Sequence, residues 1–239
     1  VTGFSLPELG PEEMPRLWWR GGFPRAFLAA QETAARQWLE DFRRTFLERD
    51  IPQLGIQVPA VTLGRFWTMV AHYHGQVLNF AELARSMGSS EPTARRYLDI
   101  LSGTYVVRQL PPWFENLKKR QVRSPKAYIR DSGLLHALLG IVDLPGLQSH
   151  PKLGASWEGF CLEQILSVCG DRNAYFWGTH AGAELDLLVT HRGKRLGFEF
   201  KFSDQPSTTK SMRIAQDDLG LDHLYVVHPG EHRFALDER

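Results

Sequence analysis

The alternation of apolar and polar positions divides the chain into a largely helical first part and a mixed second part. The opening 23 residues carry several Pro and Trp and no steady period, which predicts irregular structure. From Arg25 onward, Phe27, Leu28, Trp38, Leu39, Phe42 and Phe46 follow the helical period and predict one long amphipathic helix. Pro52 stands just past its end as a stop signal, and Arg43, Arg44, Glu48, Arg49 and Asp50 read as its solvated face.

Three further helices are predicted between residues 63 and 103. "GRFWTMVAHYHG" places Phe66, Met69, Val70 and Tyr73 on one side. "NFAELARSMG" has Asn79 as N-cap and Gly88 as C-terminal stop, and "SSEPTARRYLDILSG" has Ser89 or Ser90 as cap and Pro92 in its first turn. Two short β-like runs, "TYVVRQLPPW" and "KAYIRD", follow. Helices with a tight turn and then a β-hairpin are the layout of a winged helix-turn-helix. Its third helix would turn Thr93, Arg95 and Arg96 to solvent. The hairpin loop would bring Lys118, Lys119, Arg120, Arg123 and Lys126 to phosphates. An architectural or protein-binding winged helix with a solvated basic loop is the alternative. Asp131 caps another short helix, and a Pro/Gly-containing link leads to a boundary near residue 150.

Beyond that boundary the pattern reads helix, three strands, helix, strand. The elements are "GASWEGFCLEQILSVCG", "NAYFWG", "AELDLLVT", "RLGFEFKF", "STTKSMRIAQDDLG" and "HLYVVHP". Mixed strands with flanking helices predict an α/β (α+β) sandwich.

Composition narrows the picture. The 239 residues allow one large domain or two smaller ones, with 43% hydrophobic and 23% charged residues typical of a globular chain. A net charge of +1 means any nucleic-acid surface must be a local patch. No run is long enough to span a membrane, and the start has no signal-peptide layout and reads as if cut from something longer. Cys161 and Cys169, in an apolar setting with no CxxC pair, predict core residues of a reducing, cytoplasmic protein.

The carboxylates stand out. At about 100° per residue, Trp157, Phe160, Cys161, Leu162, Ile165, Val168 and Cys169 form one apolar arc, and Glu158 falls inside it. A carboxylate there is costly unless paired, hydrogen-bonded or metal-bound; a first-turn carboxylate favoured by the helix dipole is the alternative. In "AELDLLVT", Leu185, Leu187 and Val189 share one strand face and Glu184 and Asp186 the other. In "GFEFK", Leu196, Phe198, Phe200 and Phe202 share one face, and Glu199 and Lys201 the other. If the two strands pair as a hairpin through "THRGKR", Asp186, Glu199 and Lys201 point to one side. Converging carboxylates suit Mg²⁺ or Mn²⁺, and a surface ion pair is the plain alternative for Glu199 and Lys201.

"E158…D186…E199-F-K201" resembles the signature of PD-(D/E)XK nucleases: a helical Glu, a strand Asp, and E-x-K on the next strand. A second resemblance runs through "LWWRGGFP", "LERDI", "VLNFAELARSMGSSEPTARRYLDILSGTYVVRQLPPW", "SPKAYIRDSGLLHALLG", "WEGFCLEQIL", "FWGTHAGAELDLLV" and "GFEFK". In order, these are similar to the C-terminal half of a bacterial and archaeal family of predicted AAA-type ATPases with a DUF4143 tail. The resemblance implies three regions. Residues 1–60 are an extension forming the tail of a missing ATPase domain, 61–150 a winged helix-turn-helix, and 151–239 a restriction-endonuclease-like mixed-sheet sandwich. It implies metal-assisted phosphodiester hydrolysis of DNA, with Glu158, Asp186 and Glu199 on Mg²⁺ or Mn²⁺ and Lys201 orienting the attacking water. An inactive nuclease-like fold that binds DNA or protein and regulates is the alternative. The chain has no G-x-x-x-x-G-K-[ST] loop, so ATP binding by that route is not expected.

Overall fold

A computed structural model of the chain describes residues 3–115, 121–230 and 234–236. It is a mixed α+β protein with two separate sheets. The chain divides into two compact units, Val1–Gln109 with Ala127–Lys152 and Leu110–Lys126 with Leu153–Arg239. The passage of 110–126 into the second unit has no counterpart in the sequence reading.

In the first unit the opening residues are not irregular: they form α1 (Leu6–Leu9) and α2 (Met14–Arg20). Ser5 caps α1, its N–H and hydroxyl both donating to Glu8. The predicted long helix is interrupted. α3 (Pro24–Phe27) ends early, Leu28 is 63% exposed, and α4 (Glu32–Thr45) begins afresh. α4 runs through a π-helical turn, Phe46–Asp50, into α5 (Ile51–Gln53). Pro52 therefore does not stop the helix. It falls where the π-helical turn passes into the short α5, one residue before that helix ends at Gln53.

α6 (Ala60–His72), β1 (Gln76–Val77), α7 (Phe80–Met87), α8 (Glu91–Gly103), β2 (Val107–Leu110) and β3 (Lys126–Ile129) follow, with sheet order β1-β3-β2. The predicted caps are in place: Asn79 accepts from Glu82 N–H and Ser90 from Thr93 N–H, while Gly88 is left-handed at φ 61°. Leu39, Phe46, Leu47 and Ile51 share one core with Leu63, Phe66, Trp67, Leu98 and Leu101. α9 (Ser132–Leu138) and α10 (Leu144–Gln148) complete the unit. Asp131 caps α9 through Leu134 N–H and accepts a second bond, from Gly22 N–H, at 2.7 Å. This ties the "WWRGGFP" segment to α9. Gly21, at φ 77°, leaves room for that carboxylate, where any Cβ would overlap it.

The second unit holds α11 (Leu153–Cys169), β4 (Ala174–Gly178), β5 (Glu184–His191), β6 (Lys194–Phe200), α12 (Lys210–Leu219) and β7 (His223–Val227). The sheet order is β4-β5-β6-β7, antiparallel except for the parallel pair β6–β7. The apolar arc of α11 is shorter than its pattern predicts. Trp157, Phe160, Cys161, Leu162 and Leu166 are buried, whereas Val168 is 67% exposed and Cys169 only half-buried. The last turn of α11 lies at the surface, with Ser167 and Val168 exposed.

β5 also departs from strict alternation. Tyr175 pairs with Leu188 and Trp177 with Leu185, so two residues of β5 oppose Phe176 alone. This bulge brings Leu185 and Leu188, rather than Leu185 and Leu187, into one cluster with Ala215 and Leu219 of α12. Residues Asp186 and Leu187 form the bulge.

The backbone after β2, expected as a solvated hairpin loop, lies along the outer edge of β4. Trp113 N–H donates to Phe176 O, Phe176 N–H to Pro111 O, and Val122 N–H to Gly178 O. The edge of β4 is thereby covered.

Candidate functional site

The β5–β6 ladder runs from His191–Lys194 to Leu187–Phe198. Asp186 and Glu199 stand one step past its last pair. There Asp186 replaces a ladder acceptor: its Oδ2 takes the Phe200 N–H at 3.0 Å. A bulge at Asp186 frees the side chain for this role and explains an Asp in mid-strand, where propensity disfavours it. Asp186 is 5% and Glu199 4% exposed. Lys201 follows at the end of β6 and donates to Glu199 Oε1 at 2.8 Å.

Glu158 reaches the same place from the first turns of α11. The link is a residue assigned to the basic hairpin loop: Lys126. Rather than lying on a phosphate, its side chain is buried and its Nζ donates at 3.4 Å both to Glu158 Oε1 and to Asp186 Oδ1. Its ammonium also stands 5.6 Å from the centre of the Phe176 ring. Glu158, Asp186, Glu199 and Lys201 are therefore brought together, with Lys126 as a fifth member. The sequence held one signal for it. Three carboxylates against Lys201 alone leave a charge deficit that a second cation must meet, but Lys126 is 32 and 60 residues from its partners.

The electrostatics follow from burial and crowding. Burial, and then the charge of Asp186, push the Glu199 carboxyl up to about 7, against the pull of Lys201. Burial alone would lower both lysines. The charges of Glu158 and Asp186 hold Lys126 above its ordinary value instead, and Glu199 does the same for Lys201. Burial and the Glu158 charge raise the Cys161 thiol, which makes it an unreactive core group. Glu184 is exposed; its backbone exchanges hydrogen bonds with the Ser211 hydroxyl.

Three carboxylates are the right donors for Mg²⁺ or Mn²⁺. As arranged they do not fit one. Two of their oxygens surround an ammonium at 3.4 Å, and a third is bonded to Lys201. Among the described residues, no group of three His, Cys, Asp or Glu side chains is placed to hold a metal ion.

The residues expected on DNA are divided between the units. Arg95 and Arg96 are exposed on α8, with the Arg95 guanidinium 3.9 Å from the centre of the Phe80 ring. Thr93 is half-buried and its hydroxyl shares a hydrogen bond with Ser90 in the helix cap. Arg123 is exposed in the second unit; Lys118, Lys119 and Arg120 lie outside the described residues. Among the described residues no helix is long and apolar enough to cross a membrane.

The fold is that of a mixed α+β chain with a buried carboxylate–lysine cluster on its second sheet. The chain belongs to the family defined by DUF8612, a domain of unknown function whose model matches residues 11–144. Residues 153–239 match DUF4143, also a domain of unknown function, as the sequence resemblance implied. It is 52% identical over 238 residues to Uncharacterized protein Rv2008c of Mycobacterium tuberculosis, and to the same extent to Uncharacterized protein Mb2031c of Mycobacterium bovis. Those matches cover all of this chain but only 54% of each relative, so the chain spans about half their length. No solved structure matches it.

Proposed function

We propose that the chain is the DNA-contacting, nuclease-like C-terminal region of an AAA-type ATPase-related protein, and that as folded it acts by binding rather than by cutting. The observation that carries this reading is Lys126 Nζ lying between Glu158 and Asp186. A helical Glu, a strand Asp and E-x-K meeting at one point support kinship with PD-(D/E)XK nucleases. An internal cation seated among them supports a silent site. The element order from α6 to β3, with sheet order β1-β3-β2, supports a winged helix-turn-helix. Exposed Arg95 and Arg96 on α8 then supply phosphate contacts. The family resemblance implies an ATPase domain elsewhere in the full-length protein.

The test is fluorescence anisotropy of a labelled DNA duplex over a range of salt, with a parallel cleavage assay in Mg²⁺ and Mn²⁺. Salt-dependent binding without cleavage is expected. Arg96→Ala should reduce the slope of log affinity against log salt by about 0.9, the share of one phosphate. Binding that ignores salt overturns the DNA reading in favour of a protein partner. Cleavage by the unaltered chain that is lost in Lys201→Ala overturns the silent-site reading in favour of a metal-dependent nuclease.

A further inference from the structure

Arg43 and Arg44 read in the sequence as part of a solvated helix face, but the first unit turns them onto a groove. Arg43 and Arg44 of α4, with Leu47 of the π-helical turn after it, face Val61, Arg65 and Met69 of α6 across a cavity of about 490 Å³. Gly64 sets the approach of the two helices, since a Cβ there would stand 3.1 Å from Leu47 Cδ1. Arg43 is half-buried, and its Nη2 donates to Thr68 Oγ1 at 3.0 Å and to Gly64 O at 3.5 Å. Both acceptors are neutral. Burial lowers the Arg43 pKa, with the more distant Glu40 opposing, and Glu40 is itself bonded to Arg36. A guanidinium is thus fixed in place and partly stripped of water with no carboxylate on it. Arg65 is exposed and pairs with no acid among the described residues. Arg44 is held by Asp41 at 2.7 Å, and Glu48 is the acid in the groove lining. Three arginines against these two carboxylates leave the groove positive.

We propose that this groove binds a small organic phosphate of nucleotide size, with Arg43 and Arg65 on its phosphate and Leu47, Val61 and Met69 against its apolar body. Guanidinium forks match phosphate oxygens in pairs, and Arg43 is already oriented by Thr68, so little side-chain freedom is lost on binding. The volume lies within the range of about 300–1,000 Å³ usual for small-molecule sites, which combine an apolar lining with a few placed polar groups. Val61, 78% exposed beside these arginines, supplies apolar surface that such a ligand would cover. A DNA duplex would use the charges but gain nothing from the apolar wall. The inference is independent of the contacts assigned to Arg95 and Arg96 on α8, and of the carboxylate–lysine cluster.

The experiment is calorimetry of the 239-residue chain with adenosine monophosphate, adenosine and inorganic phosphate as separate probes. Saturable binding of adenosine monophosphate is expected, tighter than that of either part alone. Arg65→Glu should weaken it at least about tenfold, the worth of one charge-assisted hydrogen bond, without changing the melting temperature. Arg95→Glu/Arg96→Glu should bind adenosine monophosphate like the unaltered chain. Should Arg65→Glu fail to fold, Val61→Glu places a negative charge at an exposed position of the same groove and should weaken binding likewise. No saturable binding of adenosine monophosphate overturns the proposal, as does equal affinity for adenosine, which would mean that the phosphate is not recognised. Binding that survives the groove variants but is lost in the α8 variant places the ligand elsewhere and also overturns it. A DNA duplex that binds through Arg65 while adenosine monophosphate does not would give the groove to nucleic acid instead.

Discussion

Lys126 Nζ and Asp186 Oδ1 are 3.4 Å apart, both nearly shut off from solvent, and tie the end of the 110–126 passage to the bulge of β5. The pair is valuable mainly because its loss is costly. Replacing both partners with apolar groups of similar size can be nearly neutral, but removing one leaves the other charged, buried and unpaired. Lys126→Met in chelating buffer should therefore lower the unfolding free energy by about 3–5 kcal/mol. Adding Glu158→Gln and Asp186→Asn should recover part of that loss. Urea denaturation followed by tryptophan fluorescence measures both, and equal stabilities for single and triple variants would contradict it.

Glu199 makes stability depend on pH near neutrality. Its folded carboxyl titrates at about 7, whereas an unfolded Glu titrates near 4.3. Between these values the native state holds the proton more tightly. Its stabilising contribution is complete below the unfolded value and is lost as pH rises through 7. Burial is the leading cause, followed by Asp186, with Glu184 adding a smaller push and Lys201 opposing. Glu199→Gln cannot titrate and should flatten the fall in stability between pH 5 and pH 7. Parallel curves for the two proteins would show that Glu199 is not the titrating group.

What the sequence made legible was local. The caps at Asn79, Ser90 and Asp131 depend on neighbours three residues away. Asp186 and Glu199 lie on the two strands of one antiparallel hairpin turned at Gly193, with Lys201 just past it, so their nearness was legible, whereas the bulge that frees the Asp186 side chain was not. Features set by distant packing were hidden. Val168 fits the apolar arc of α11 but is 67% exposed, while Leu166, outside that arc, is buried. The β5 bulge moves Leu188 to the face that alternation assigns to the other side. Lys126 sits among "SPKAYIRD" with nothing local to say it is buried; its partners come from α11 and β5.

Gly133 offers a test of packing that involves no charge. A Cβ built there would overlap the carbonyl oxygen of Arg20, a backbone atom that cannot swing aside. Gly133→Ala would force α9 away from the end of α2 and loosen the Asp131 bond to Gly22 N–H at 2.7 Å. Overpacking of this kind costs about 1–3 kcal/mol, and the weakened, half-buried carboxylate bond adds to it. Gly140→Ala is a different case: beyond its chain neighbours, no atom of the described residues lies within 4 Å of an added Cβ, and its φ of 71° is what opposes the change. The Gly133 variant should be the less stable of the two by thermal melting. The reverse order would mean that α9 shifts freely.

His136 gives the first unit a stability contribution that is lost on the acid side. Its ring lies flat on Trp19, with centroids 5.2 Å apart, and its Nδ1 is 3.0 Å from the Trp19 carbonyl oxygen. Burial pushes its pKa down to about 4, with the Trp19 carbonyl opposing and His150 reinforcing the shift. An unfolded histidine titrates near 6.5, so between 6.5 and 4 the unfolded chain binds the extra proton. The stability contributed by neutral, buried His136 is complete above pH 6.5 and is lost as pH falls toward 4. His136→Phe keeps the flat stack on Trp19 but leaves the Trp19 carbonyl without that partner, at a cost of about 1–3 kcal/mol at pH 7. Its unfolding free energy should nevertheless fall less steeply from pH 6.5 to pH 4, because the group that takes up the proton is gone. Urea midpoints across that range give both numbers, and an unchanged acid slope would assign the acid-side loss to another residue.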